Sequence, residues 1–472
     1  MDSRISARAL AAALGGWRGS GPAYEALADG VRLLCLDNRL APSTALPAER
    51  ELAAALSLSR TTVAAAYRSL RETGHIASLR GSGSVTLPLR RSDPGRLDAD
   101  ADSIDLQQAS PAAWPGLPAV IAEAAAQAPA LVSRIGYDVV GDPTLRAAIA
   151  DHYADRGLAT SPDQILVTTG AQSAIHLIAS VLIGRADRVM LETPTYPHAA
   201  DAFRRVGARL IGVPVDSDDG WDVERAEQSF ARALPSLAYL MPDFHNPTGR
   251  SMDEREVDAF VSGARSAGTL LVLDETTGQL DIDRQGDAAP FPDDERIIRV
   301  ASLGKTVWGG LRVGWVRAAP DIIRRLASGR PVHDLGTPEL EQAIATRLVP
   351  RLDEIARQRG ELLRAGRDAL RTALIDTFPE WDVPRVSGGV SVWVGIGEPL
   401  STPLVMNARS RGLALSAGSR FAVEGGHDRR LRVPFTAPPA TLERAVEILR
   451  AAWDDVRGGR TVPAREDFAT VV

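Results

Sequence analysis

Of the 54 Lys and Arg residues in this 472-residue chain, only Lys305 is a lysine. Arginine therefore serves the salt bridges and surface charge, and the retained amine points to work that guanidinium cannot do. A primary amine loses its proton at accessible pH and condenses with an aldehyde, whereas guanidinium stays charged. Ser302 lies three residues before the amine and Arg312 seven after it, in Ser302-Leu303-Gly304-Lys305 and Gly310-Leu311-Arg312-Val313-Gly314. Both can grip a phosphate while the amine reaches an aldehyde. Asp274 ends the apolar run Leu270-Leu271-Val272-Leu273. It either caps a strand or keeps a pyridine nitrogen protonated, so that the ring withdraws electrons. Thr168-Thr169-Gly170-Ala171-Gln172-Ser173 passes from strand to helix, where free amides and the helix dipole attract an anion. Turns of this kind are common in α/β proteins. Asn246-Pro247-Thr248-Gly249 is a turn that holds an asparagine side chain in place near a ring oxygen. Together these demands fit pyridoxal 5'-phosphate.

The elements that position these groups alternate between strand-like and helical patterns from about residue 104 to 330. Strands are predicted at 164–168, 188–191, 237–240, 270–273 and 297–301, which implies a mainly parallel sheet covered by helices. Such a sheet presents ligand-binding groups at its strand ends, and Asp274 stands at one. Residues 331–460 change rhythm, with one long Arg/Leu-rich helix over 338–376 followed by a smaller α+β part. The aminotransferase-like region as a whole is taken as 104–472.

Residues 1–86 read as a helical module ending in a hairpin. Helices are expected over 22–37, from about Leu46 to Leu56, and from Ser59, a suitable N-cap, to Gly74. His75 to Thr86, with Gly81 and Gly83, forms a two-stranded wing. A helix, a turn, a second helix and a wing make a winged helix-turn-helix, whose second helix enters the major groove. Arg60, Thr61 and Thr62 open that helix and can meet bases or phosphates. Arg50, near the start of the preceding helix, would face the adjoining phosphates or bases, and Arg80 at the wing tip would reach the minor groove. By pattern alone, a small helical protein-interaction module is the alternative. Residues 1–90 hold eleven arginines and seven acids, +4, while the remainder holds 43 basic and 53 acidic residues, −10, within a total of −6. Residues 87–103, rich in Pro, Gly, Arg and Asp, form an exposed linker.

The apolar fraction of 44% and charged fraction of 24% suit a soluble globular protein. No apolar run reaches membrane-spanning length, and the short run Ile5–Leu14 is interrupted by Arg8, so neither a span nor a signal core is expected. The one cysteine, Cys35, forms no internal disulfide, and a cytoplasmic setting follows.

Pro47-Ala48-Glu49-Arg50-Glu51-Leu52-Ala53, Leu58-Ser59-Arg60-Thr61-Thr62-Val63, Tyr67-Arg68-Ser69-Leu70, Gly74 and Gly81-Ser82-Gly83 resemble the winged helix of GntR-type repressors. The segments around Gly170, Asn246, Asp274 and Lys305, in that order, resemble the fold-type I aminotransferases. Their fusion resembles the MocR subfamily of bacterial regulators. The resemblance implies Lys305 as the Schiff-base residue and Asp274 as partner of the pyridine nitrogen. It implies Asn246 on the phenolic oxygen and Tyr196, in Pro194-Thr195-Tyr196-Pro197, stacked on the ring. Gly170, Ala171, Gln172, Ser302 and Arg312 would bind the phosphate, and Arg432 a substrate carboxylate. For Arg432 the other reading is a surface arginine clustered with Arg429 and Arg430. A homodimer on paired half-sites of operator DNA also follows from the resemblance. Two departures stand out: Thr276 and Thr277 occupy the stretch where family members commonly carry a tyrosine, and Gly304 replaces the usual serine before the lysine. The expectation is a regulator that senses pyridoxal phosphate, an amine or an amino acid. The alternatives are a working aminotransferase with a DNA-binding appendage, and a dimerisation scaffold.

Overall fold

In the N-terminal module, apolar residues three and four apart along each helix meet in one small core. The protein is described by a computed structural model covering residues 4–14, 17, 22–36, 40, 43–79, 83–87, 103–286 and 288–458. Helices α1 (Ala7–Leu14), α2 (Ala23–Leu36), α3 (Glu49–Leu56) and α4 (Arg60–Glu72) bury Leu10, Val31, Leu52, Val63 and Leu70 against one another. Helix α1 is an addition to the expected elements. The run weighed above as a signal core is amphipathic, and Leu10 is fully enclosed in the module's core.

Local chemistry sets the ends of these helices. The Glu51 carboxylate accepts from the Ala48 amide at 3.3 Å at the start of α3, and Ser57 closes that helix in the left-handed conformation. Ser59 caps α4 by accepting from the Thr62 amide at 3.0 Å, as its sequence position predicts. Gly74, at φ +71°, then turns the chain into the hairpin of β1 (Ile76–Leu79) and β2 (Gly83–Thr86). Arg80 and Gly81 at the wing tip, and linker residues 88–102, lie outside the described residues.

The second region begins with β3 (Ile104–Asp105). Its main sheet contains β4 (Ile165–Thr168), β5 (Arg188–Thr193), β6 (Arg209–Asp216), β7 (Gly220–Trp221), β8 (Leu237–Leu240), β9 (Leu270–Asp274), β10 (Ile297–Ser302) and β11 (Gly314–Arg317). The order is β4-β11-β10-β9-β8-β5-β6-β7. Strands β6, β5, β8, β9 and β10 run parallel, whereas β11 is antiparallel to both β10 and β4. The mainly parallel sheet is therefore present, with two antiparallel members, β7 and β11.

A smaller antiparallel sheet joins β12 (Ser391–Gly395), β15 (Arg430–Pro434) and β14 (Ser416–Ala417) in the order β12-β15-β14. Strand β3 pairs with β13 (Leu413–Ala414), so Ile104 and Leu106 sit in the smaller core with Trp381 and Trp453. The single helix expected over 338–376 is instead two, Glu339–Leu348 and Leu352–Thr377, separated by a 3-10 turn at Val349–Arg351. Pro350 has no amide hydrogen to continue the ladder, and its ring crowds the preceding turn. Among the described residues, no helix is long and apolar enough to cross a membrane.

Gly314 opens β11 in close contact with backbone. A methyl group there would lie 2.8 Å from the Ala301 oxygen, 2.8 Å from the Gly170 carbonyl carbon and 2.9 Å from the Ala171 nitrogen. Gly314→Ala is expected to cost about 1–3 kcal/mol, read as a lowered urea midpoint for this domain. An unchanged midpoint would contradict the packing described.

Candidate functional site

The carboxyl ends of the parallel strands all face one edge of the main sheet, and the expected residues follow those ends. Gly170 follows β4, Tyr196 follows β5, Asn246 follows β8, Asp274 ends β9 and Lys305 follows β10. Arg312 reaches the same edge because β11 runs the other way, so residues just before it lie beside residues just after its neighbours.

Lys305 sits in a short helical turn, Leu303–Thr306, whose start is capped by Ser302 Oγ accepting from the Gly304 amide at 2.9 Å. The buried Arg359 clamps the far end, donating to the Thr306 and Val307 carbonyls at 3.1 and 3.0 Å. The amine itself donates to the Ala109 carbonyl at 2.6 Å. Burial lowers its pKa to about 8; Arg432 and Arg312 push the same way, while Asp274 opposes them. The neutral, nucleophilic amine thus becomes accessible near physiological pH.

Asp274 is buried at 3% exposure. The Tyr239 hydroxyl donates to one of its oxygens, and the Thr276 amide donates to the other at 3.0 Å. Burial raises the Asp274 pKa, and these two donors counter that effect. Tyr196 is pushed up to about 12 by burial; Asp274 raises it further, while Arg432, Arg312 and Arg420 oppose. These mutual influences bring Lys305, Asp274, Tyr196, Arg312 and Arg432 into one electrostatic neighbourhood.

Gly170, at φ +82°, precedes the helix Ala171–Leu182, and a methyl group on it would lie 2.6 Å from an Arg312 Nη. Arg312 donates to the Thr169 and Gly309 carbonyls at 3.2 and 3.3 Å, so its guanidinium lies against that turn. The Gln172 side chain donates to the His198 carbonyl at 3.3 Å, and its own oxygen is buried without a hydrogen-bond partner. Asn246 Oδ1 is likewise buried and without a partner among the described residues.

Arg432 belongs to the buried face of β15, not to the surface. Arg430 pairs with Asp382 at 2.7 Å and Arg429 bonds the Gly397 carbonyl, but Arg432 is 7% exposed. It donates to the Gln107 carbonyl, lies 5.0 Å from the Phe421 ring centroid and, among the described residues, leaves its Nε unpartnered. Burial pulls its pKa down to about 10, so it stays charged at neutral pH. A buried cation without a counter-ion is costly, and a ligand carboxylate would relieve it.

Sequence reasoning missed Tyr239, Arg359 and the carbonyls of Gln107 and Ala109. Tyr239 carried one signal, a hydroxyl inside the apolar strand Leu237-Ala238-Tyr239-Leu240. Backbone carbonyls carry none.

At the N-terminal module, a cleft of about 910 Å³ is lined by Arg50, Arg60, Glu49 and Gly83, among others. Arg60 lies 3.6 Å from Glu49, with its side chain 66% exposed, and Arg50 is exposed. The Ser59 hydroxyl lies 2.7 Å from the Thr61 hydroxyl and 2.8 Å from that of Thr62, so it organises the start of α4.

Residues 104–449 match the model of aminotransferase class I and II. The chain belongs to that family. Residues 23–85 match the bacterial regulatory proteins of the gntR family. A Bacillus subtilis (strain 168) protein named uncharacterized HTH-type transcriptional regulator YdfD is 26% identical over 83% of this chain and 88% of its own. The Rhizobium meliloti protein named probable rhizopine catabolism regulatory protein MocR is 28% identical over 64% and 66%. The fold resembles LysN, the alpha-aminoadipate aminotransferase of Thermus thermophilus, solved with N-(5'-phosphopyridoxyl)-L-leucine. The TM-score is 0.69 at 26% identity, over 75% of this chain and 93% of that one. The fusion is that of MocR-type transcription regulators, and the aminotransferase fold implies pyridoxal phosphate as cofactor.

Because Lys305 is the sole lysine, its titration can be read directly. Below about pH 8 the amine keeps its proton, and above it the free base dominates. Labelling of the cofactor-free protein by a small amine-reactive reagent, followed on the Lys305 peptide by mass spectrometry, is expected to rise with a midpoint near pH 8. A midpoint near the ordinary lysine value of about 10.4 would mean the amine is not desolvated.

Proposed function

We propose that this regulator binds operator DNA through its winged helix and responds to pyridoxal phosphate held at Lys305, or to an amino-carboxylate compound that reaches it there. The observation that carries this reading is the company of the amine: a desolvated Lys305 shares its site with Asp274, Arg312 and Arg432, a buried arginine with no carboxylate partner among the described residues. The residues present fit the cofactor. The unpartnered Asn246 oxygen marks a buried carboxamide free to engage a ring substituent, and the turn under Arg312 offers amides and a guanidinium to a phosphate.

Lys305 would hold the cofactor covalently, with Asp274 at its ring nitrogen, Asn246 at its phenolic oxygen and Tyr196 against its ring. Gly170, Ala171, Gln172, Ser302 and Arg312 would hold its phosphate, and Arg432 the carboxylate of the effector. When bound, the cofactor supplies an aldehyde that condenses with an amine and a ring that withdraws electrons from it. Signalling then requires that ligand binding favour one of two arrangements of the chain.

Homodimerisation is part of the proposal. Val132, Ile135, Tyr137 and Val332 remain 72–90% exposed, and the neighbouring segments meet where Gly336 abuts Asp138. Apolar surface of this kind suits burial against a second copy. A second reading, a working aminotransferase, draws support from the likeness to LysN. Against it, Thr276 and Gly304 depart from the family pattern, which weakens the case for efficient turnover.

The test pairs two measurements. Borohydride reduction after incubation with pyridoxal phosphate should leave the reduced cofactor on the Lys305 peptide and none on Lys305→Ala. Operator affinity should change by about 5- to 150-fold with cofactor or an amino-acid effector in the parent chain, and stay constant in Lys305→Ala. Attachment without any change in affinity would end the sensing proposal. Sustained conversion of an amino acid with a 2-oxo acid would establish the enzyme reading instead.

A further inference from the structure

The winged helix contains an element that lies before the matched residues 23–85 and that the expected recognition residues do not include. Arg4 forms a parallel bridge with Ala45, and Ala45 an antiparallel bridge with Val85 in β2. The Ile5 amide donates to the Ala45 carbonyl at 3.1 Å, and the Leu46 amide to the Ser84 carbonyl at 2.8 Å. Single bridges thus link β2 through Ala45 to the extended segment at residues 4–5. Helix α1 follows directly, and Leu10 anchors it in the module's core. The backbone at Arg4 is therefore tied to the wing on one side and to the helical core on the other.

Arg4 is exposed, and with Arg50, Arg60 and the wing residues Gly83 and Ser84 it lines the cleft of about 910 Å³. Three arginines line that cleft with one acidic residue, Glu49. Arg60 and Arg71 already approach that carboxylate, at 3.6 and 3.9 Å. Among the described residues, no acidic group lies within ion-pair distance of Arg4 or Arg50. A surplus of guanidinium between the recognition helix and the wing is matched by a run of phosphates, which arginine grips through paired N–H donors.

We propose that Arg4 contacts a backbone phosphate of duplex DNA, so that the segment before α1 forms part of the operator-binding surface together with α4 and the wing. This rests on the reading of the module as a DNA binder. The test keeps the two separable by comparing Arg4→Gln with Arg60→Ala in the full chain.

The probes are a short random-sequence duplex and the duplex that the parent chain enriches from a random library, each titrated at several salt concentrations. Neutralising one phosphate contributes a slope of about 0.9 to the fall of log K with log salt. Arg4→Gln is expected to bind both duplexes more weakly and with a slope shallower by about that amount. Its deficit relative to the parent should therefore shrink about threefold between about 50 and 200 mM salt. Arg4→Lys should restore the slope, because a phosphate contact needs charge. Unchanged unfolding midpoints would show that both variants fold.

If Arg60→Ala weakens binding while Arg4→Gln leaves affinity and slope unchanged, the proposal is wrong and the DNA-binding reading stands. If Arg4→Lys behaves like Arg4→Gln, the contact is not cation to phosphate, and the proposal again fails. If the parent chain binds neither duplex, both fall together.

Discussion

The half-buried Lys305 at the main sheet's edge and the buried Arg432 of the smaller sheet act on each other and are countered at the amine by Asp274, and the chemistry of the C-terminal domain follows from that balance. Removing charge from water is costly, and each group responds according to its own chemistry. Lys305 sheds its proton near pH 8 and becomes a nucleophile. Arg432 stays charged, so its desolvation is relieved only by a partner. A ligand carrying a carboxylate and an amine, meeting an anionic aldehyde already in place, would satisfy both at once.

The fold sets up this arrangement by making strand ends converge. Strands β4, β5, β8, β9 and β10 deliver residues far apart in sequence to one edge, and the reversed β11 adds Arg312. Backbone contacts then limit how far the turns can shift. Arg359, on the helix Leu352–Thr377, grips the carbonyls after Lys305. The same helix carries Arg367, which bonds the Val386 carbonyl and pairs with Asp283 at 2.7 Å. One long helix thereby ties the amine-bearing turn to the segment after Asp274 and to the approach to the smaller sheet.

The winged helix is built on a separate core, with its own caps and its own charge. Its arginines gather around one cleft because the segment before α1, the start of α3, the start of α4 and the wing meet there. That convergence includes Arg4, which belongs to no element that periodicity predicts.

Much of this is legible in the amino-acid sequence. A solitary lysine, the Asn246-Pro247-Thr248-Gly249 turn and Asp274 at the end of an apolar run are local features, and local chemistry keeps its meaning in any fold. Periodicity likewise located α2, α4 and five strands of the main sheet, since amphipathic spacing reports directly on which face is buried. Other features depended on distant neighbours. Tyr239 meets Asp274 only because β8 and β9 pair in a particular register. Whether Arg432 is a surface charge or a buried one turns on its place in the middle strand of the smaller sheet, which no window of sequence around it reveals. The amine's lowered pKa has the same origin. Residue types and their order dictated which groups could react and which backbone segments would carry them. Which of those groups lost their water was left to long-range packing, because desolvation depends on everything that surrounds a charge rather than on its neighbours along the chain.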